Sequence, residues 1–210
     1  WLAHGTFEEL LYVPIIVPLV LLIAWAVTAS ESPLSRLKDL DLRILWIPFM
    51  ILLMAIGRNL WAYSPMSKAL SHPEWTAQHQ AEAIDLSLSR DPNNYFYATE
   101  AAMAWSEVYS ENGDLDAVLR AIYLQRYAIS IEPSYSPDWA NLAILEWQNG
   151  ETEYAIQDMK KAVSMTPEEG TFLLNLGNFY EESGKVEEAD QYYLQALKLF
   201  PDWGDLPFWD

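Results

Sequence analysis

The strongest constraint in this sequence is an internal period. "SPDWANLAILEWQNGETEYAIQDMKKAVSMTP" (residues 136–167) and "GTFLLNLGNFYEESGKVEEADQYYLQALKLFP" (residues 170–201) align at a shift of 34 residues. Trp139, Leu142, Ala143, Ala155, Met159, Ala162 and Pro167 stand opposite Leu173, Leu176, Gly177, Ala189, Tyr193, Ala196 and Pro201. Small residues recurring among large apolar ones at helical spacing predict paired helices that cross closely, with the large side chains filling the gaps. Asn149-Gly150 and Ser183-Gly184 supply helix-ending turns, and the closing Pro stops each second helix. A chain patterned this way is all-α, a stack in which each unit buries its apolar face on the next.

The pattern resembles the tetratricopeptide repeat, a 34-residue helix-turn-helix unit. Tyr180 fills that family's aromatic position in the first helix, and Glu146 stands at the matching place one repeat earlier, a departure from the pattern. Upstream, "DPNN" (residues 91–94) is similar to the family's inter-repeat turn, and Trp105, Tyr109, Gly113, Ala128 and Pro133 continue the series. Gly113 and Pro133 lie 20 residues apart, against 17 in the later copies, so the second helix here is predicted about one turn longer. "PEWTAQHQAEAIDLSLSRDP" reads as a lone second helix before it. The resemblance covers residues 74–203 and implies a binding scaffold without catalytic chemistry. It also implies a groove lined by the first helix of each pair. On the matching positions that groove takes Asn141, Ile144, Trp147 and Gln148 from one repeat and Asn175, Asn178, Glu181 and Glu182 from the next. Asn141 and Asn175 either hold the backbone of a bound peptide, as the resemblance implies, or are simply common at that place. Members that clamp an acidic tail need Lys or Arg beside those Asn residues. Ala140, Leu174 and carboxylates stand there instead, which favours a basic or apolar partner.

Before the repeats lies a hydrophobic third. Leu10 to Ser30 is 21 uncharged residues, roughly 31 Å as a helix and close to a bilayer core. It is too long for a signal peptide and no basic residue precedes it. Pro14 and Pro18 lie one turn apart within it; membrane helices tolerate such prolines when neighbours satisfy the exposed carbonyls. Ile44 to Gly57 is a second uncharged run, 14 residues between Arg43 and Arg58, extensible through Leu60, Trp61 and Tyr63. The expected organisation is a hydrophobic helical hairpin over residues 1–63, in lipid or in an assembly core, followed by a solenoid over 64–210. The chain begins with Trp1 rather than Met, as expected of a processed or partial chain. Basic residues between the two runs place that loop in the cytoplasm and the acidic repeats outside it, at the membrane or cell surface.

Charge separates the two parts. Residues 64–210 hold 8 basic and 25 acidic residues, so they carry −17 of a net −18. Such a surface repels phosphate backbones, which excludes nucleic acid as a partner. With no cysteine the chain has neither a disulfide framework nor a cysteine zinc site, and His4, His72 and His79 do not assemble a metal site. No catalytic constellation and no cofactor motif is present. The sequence closes on "PDWGDLPFWD", where Trp203, Leu206, Phe208 and Trp209 either cover the last apolar face or insert into a neighbouring subunit.

"HGTFEELLY", the second hydrophobic run and "LWAYSPMSKALSHPEW" resemble the C-terminal end of bacterial O-antigen ligase or polymerase-like proteins, over about 70 residues. That resemblance implies descent from a glycan-transfer enzyme whose catalytic Arg and His lie upstream of this chain. A comparison with pilins fails at the fifth position, where pilins carry Glu and the acids here are Glu8 and Glu9. The expected function is therefore a non-catalytic scaffold that assembles with copies of itself, as a filament, or docks in a membrane complex. Pro14, Pro18 and Trp25 and the aromatic tail are the expected contacts. The alternatives are a ligase-derived piece and a membrane-anchored peptide adaptor.

Overall fold

The computed structural model describes residues 46–205, with side chains from Met50 to Trp203. Among these residues the chain forms eight α-helices and no strand: α1 (Trp46–Ser71), α2 (Ala77–Arg90), α3 (Tyr95–Asn112), α4 (Leu115–Ile131), α5 (Ser136–Gln148), α6 (Thr152–Met165), α7 (Gly170–Glu182) and α8 (Val186–Leu199). A 3₁₀ turn, Pro201–Asp205, follows. The chain divides into two compact units between Leu60 and Trp61, within α1.

From Trp61 onward the helices are antiparallel pairs, α3 with α4 (repeat one), α5 with α6 (repeat two) and α7 with α8 (repeat three). Each first helix also packs on the second helix of the pair before it. The reason is local. Asn94, Asp114 and Glu169 start helices by accepting a backbone N–H with their side chains. Gly113, Gly150 and Gly184 adopt φ of 70°, 81° and 76° where the pairs turn, a left-handed region that costs a residue without Cβ least. Every second helix ends alike: Asp91, Glu132, Thr166 and Phe200 donate their N–H to Ser87, Ala128, Ala162 and Ala196. Each is followed by a proline, which pushes the preceding residue out of helical geometry.

The core is built on alanine. Ala81, Ala98, Ala101, Ala102, Ala121, Ala128, Ala143, Ala155, Ala162 and Ala196 are fully buried, with Ile, Leu, Met and aromatic side chains between them. The longer α4 expected from the spacing is present, 17 residues against 14 for α6 and α8. Its partner α3 is also long, 18 residues against 13 for α5 and α7, which the spacing did not reveal.

Two expectations need correction. The helix α2 is not alone. Ala62, Met66 and Ala69 at the end of α1 share a core with its Ile84 and Leu88, and the Met66 N–H donates to Ser87 Oγ at 2.9 Å. Pro65, inside α1, cannot donate to the Trp61 carbonyl; that oxygen accepts instead from the Arg90 guanidinium, which also lies 4.4 Å over the Trp61 ring. So the continuation of the second hydrophobic run past Trp61 packs on protein and does not lengthen a membrane span. Among the described residues no helix is long and apolar enough to cross a membrane. The first run, with Pro14, Pro18 and Trp25, lies outside the described residues, so the hairpin as a whole is not seen.

At the other end Trp203 stacks on Phe200 with ring centroids 4.4 Å apart, and both press on Gly170, where a Cβ would sit 2.6 Å from the Phe200 ring. Leu206, Phe208 and Trp209 lie outside the described residues. Gly177 is under the same constraint, since a Cβ there would meet the Tyr193 ring at 2.4 Å. Helix propensity alone rewards Gly→Ala by roughly 1 kcal/mol, whereas overpacking costs about 1–3 kcal/mol. Gly177→Ala is expected to destabilise the fold by on the order of 1 kcal/mol in urea unfolding followed by tryptophan fluorescence; a gain would show that Tyr193 does not fix the crossing.

Candidate functional site

The expected groove residues all lie on α5 and α7, at equivalent places one repeat apart. Asn141 and Asn175 are half-buried, and among the described residues neither side chain has a hydrogen-bond partner. Ile144 packs against the core of repeats two and three, while Gln148 is exposed. Trp147 and Asn178 come together on one acid. The Trp147 indole stacks on Phe179 at 4.4 Å and 6°, and its Nε1–H donates to Glu182 Oε2 at 3.2 Å. Asn178 Nδ2 donates to the other oxygen of Glu182 at 2.9 Å. Glu181 accepts from the Tyr193 hydroxyl at 2.7 Å, and burial pushes that phenol up.

These contacts form one wall of a cleft of about 420 Å³, lined by Trp147, Thr152, Glu153, Ile156, Glu182, Ser183 and Lys185. The groove expectation missed Thr152, Glu153, Ile156, Ser183 and Lys185, because it drew lining residues from first helices only. The cleft lies where the turn of one repeat meets the turn of the next, so the second helix α6 supplies the opposite wall. Among the described residues Glu153 and Glu182 form no ion pair. The Lys185 ammonium lies 5.7 Å over the Tyr180 ring instead.

A second polar group joins repeats one and two. Glu146, at the place Tyr180 holds in the next repeat, is 1% exposed. Its Oε1 accepts from Arg126 of α4 at 2.7 Å, and Arg126 reaches on to Glu151 at 3.4 Å. Burial pushes the Glu146 carboxyl up to about 7; the Arg126 hydrogen bond opposes this, and the neighbouring Asp158 charge adds to it. Asp158 is itself raised by burial. Further along the same junction Asp138, fully buried in the first turn of α5, accepts from Thr99 Oγ1 at 3.1 Å. Burial raises its carboxyl against the pull of Gln125 and Thr99. The sequence pointed to this seam at one residue only, the acid standing where the repeat takes an aromatic. Toward the start, Asp85 accepts from the Trp105 indole at 3.0 Å and from Arg120, tying α2 to α3 and α4.

Paired helices closed by glycine turns and proline stops define a helix-turn-helix repeat protein. Residues 139–169 and 170–203 each match a family model described as tetratricopeptide repeat, and these two stretches are such repeats. The Photosystem I assembly protein Ycf3 of Synechococcus sp. (strain CC9902) is 36% identical over 67 residues, 29% of this chain and 39% of that protein. The protein of the same name from Prochlorococcus marinus (strain NATL2A) is 33% identical over 67 residues. This chain spans only 39% of the length of those relatives. Among solved structures, the crystal structure of MamA superposes with a TM-score of 0.60 at 18% identity, covering 84% of this chain and 98% of that one. A thermophilic TPR protein of Thermus thermophilus gives 0.54 at 19% identity, covering 72% and 88%. At such identities the likeness shows the fold alone. The resemblance to O-antigen ligases finds no support in these matches, which show repeats and nothing of glycan transfer.

The raised Glu146 carboxyl sets a pH dependence. Its ordinary value is 4.5 and its folded value about 7, so between them the folded state binds more protons than the unfolded chain. The contribution is whole below pH 4.5 and is lost as pH rises through 7. Unfolding free energy measured in urea is expected to fall by on the order of 2 kcal/mol from pH 5 to pH 8. Glu146→Gln, which keeps the acceptor and removes the charge, is expected to flatten that fall and to exceed the native chain in stability at pH 8.

Proposed function

We propose that this chain is a non-catalytic interaction scaffold, which assembles through its hydrophobic first third and presents its repeats to a protein partner. One observation carries this reading. In the half of α1 before the repeats, Met50, Ile51, Leu53, Met54 and Leu60 are all exposed, with Met54 67% accessible. Apolar surface of that extent on a helix is covered in the working assembly by lipid, by sister subunits or by a partner. The uncharged stretch Leu10–Ser30, with Pro14, Pro18 and Trp25, belongs to the same contact in this proposal, and copies of the chain are the favoured neighbours. A region with 25 acids and 8 bases beyond residue 63 supports a basic or apolar protein as the occupant of the repeats, and disfavours nucleic acid. The loop with Arg36, Lys38 and Arg43 supports placing the repeats on the extracytoplasmic side when lipid is the surrounding.

The Asn-lined face favours a second use of the same scaffold, as an adaptor for an extended peptide. Asn141 and Asn175 stand half-buried without partners among the described residues, able to bond a peptide backbone.

Analytical ultracentrifugation of the chain, with and without detergent, tests the assembly. The native chain is expected to sediment as an oligomer that Met50→Glu with Met54→Glu dissociates, since each buried charge costs several kcal/mol. A native chain that stays monomeric in both media removes the self-assembly reading.

A further inference from the structure

We propose that the cleft between the turns of repeats two and three is a receptor for an arginine side chain of a basic protein segment. The chemistry is that of the lining. Glu153 and Glu182 face the cleft without an ion pair, at the ends of different helices. The Trp147 indole, in the same lining, is held by Phe179 on one face and by its bond to Glu182, so it is fixed in place before any ligand arrives. Ile156 supplies an apolar floor for a side-chain stem. Two carboxylates and a fixed indole fit a planar cation that stacks and donates several hydrogen bonds at once, which is the guanidinium rather than the ammonium group. Lys185, the cation within the lining, is directed over Tyr180, so it does not neutralise the two acids. An acidic ligand would meet both carboxylates and be repelled. A volume of about 420 Å³ holds one long side chain with its backbone rather than a folded element.

This inference rests on the scaffold reading and names the chemistry of the partner at the repeats. It is tested on the whole ¹⁵N-labelled chain, in detergent where needed, by following the indole N–H signals. Trp147→Phe identifies the signal that belongs to the cleft. Acetyl-arginine amide is the probe, and acetyl-citrulline amide, equal in shape and uncharged, is the control. The Trp147 signal is expected to shift saturably with arginine and to respond about tenfold more weakly to citrulline. Glu153→Gln and Glu182→Gln are each expected to weaken the arginine response severalfold; Gln at 182 can turn its one oxygen to the indole and give up the Asn178 bond, and the Phe179 stack keeps the ring in place. Equal responses to both probes, no response, or an arginine response that survives both substitutions together overturns the proposal. A chain that binds arginine yet sediments as a monomer keeps this inference and loses the assembly reading, so the two fail separately.

Discussion

The close approach of helices over alanine is the constraint on which the rest of the repeat region depends. Ala143 and Ala155, Ala121 and Ala128, and Ala98, Ala101 and Ala102 are all without exposed surface. A methyl group at a crossing lets two helix backbones come near enough for the larger neighbours to interlock around it. Gly177 takes the limit of this rule, because the Tyr193 ring occupies the space a Cβ would need. Once crossings are fixed, so is the offset from one pair to the next. That offset places the α5 turn beside the α7 turn, which brings Trp147 to Phe179 and Glu182 and opens the cleft.

The sequence made the crossings legible because they follow a period. Alanine, glycine and proline at fixed places mark where helices touch, turn and stop, and the structure puts the turns at Gly113, Gly150 and Gly184. What the period hides is any residue that answers to a neighbour outside its own repeat. Glu146 reads as a flaw in one copy, yet in space it answers Arg126 of the preceding helix. Gln125 and Asp138 carry no sign in the sequence that they are buried together. The end of α1 gives no repeat signal at all, because a helix that only has to meet α2 needs one small-residue face, and the Trp61 carbonyl that Pro65 leaves unpaired is taken up by Arg90. The cleft was half legible for a similar reason: Trp147 and Glu182 sit on first helices, where a groove is sought, and Glu153 and Ile156 do not.

The seam between repeats one and two differs from the junction that follows it. Repeats two and three meet through Phe172, Leu176, Phe179 and Met159, an apolar contact that needs no charge. At the earlier junction apolar packing by Leu142 and Leu145 is accompanied by Asp138, Glu146 and Gln125, all withdrawn from water. A buried carboxylate is costly unless paired, and Arg126 pairs only one oxygen of Glu146. The earlier junction is therefore the one where the raised Glu146 carboxyl links packing to protons.

Charge divides the surfaces between two kinds of contact. Acidic repeat surfaces on two copies repel one another within a Debye length of about 8 Å at physiological salt. Direct contact between such faces is disfavoured, so the proposed self-assembly calls on surface outside the acidic region. The exposed apolar half of α1, where Arg58 is the one charged residue, is such a surface, and it precedes the acidic region in the chain. In the proposed reading the repeats are left to a partner of opposite sign, whose approach such a field accelerates. The proposed scaffold divides its contacts accordingly, with apolar surface for its own copies and acidic repeats for a partner. Its selectivity comes as much from what the carboxylates reject as from what they hold.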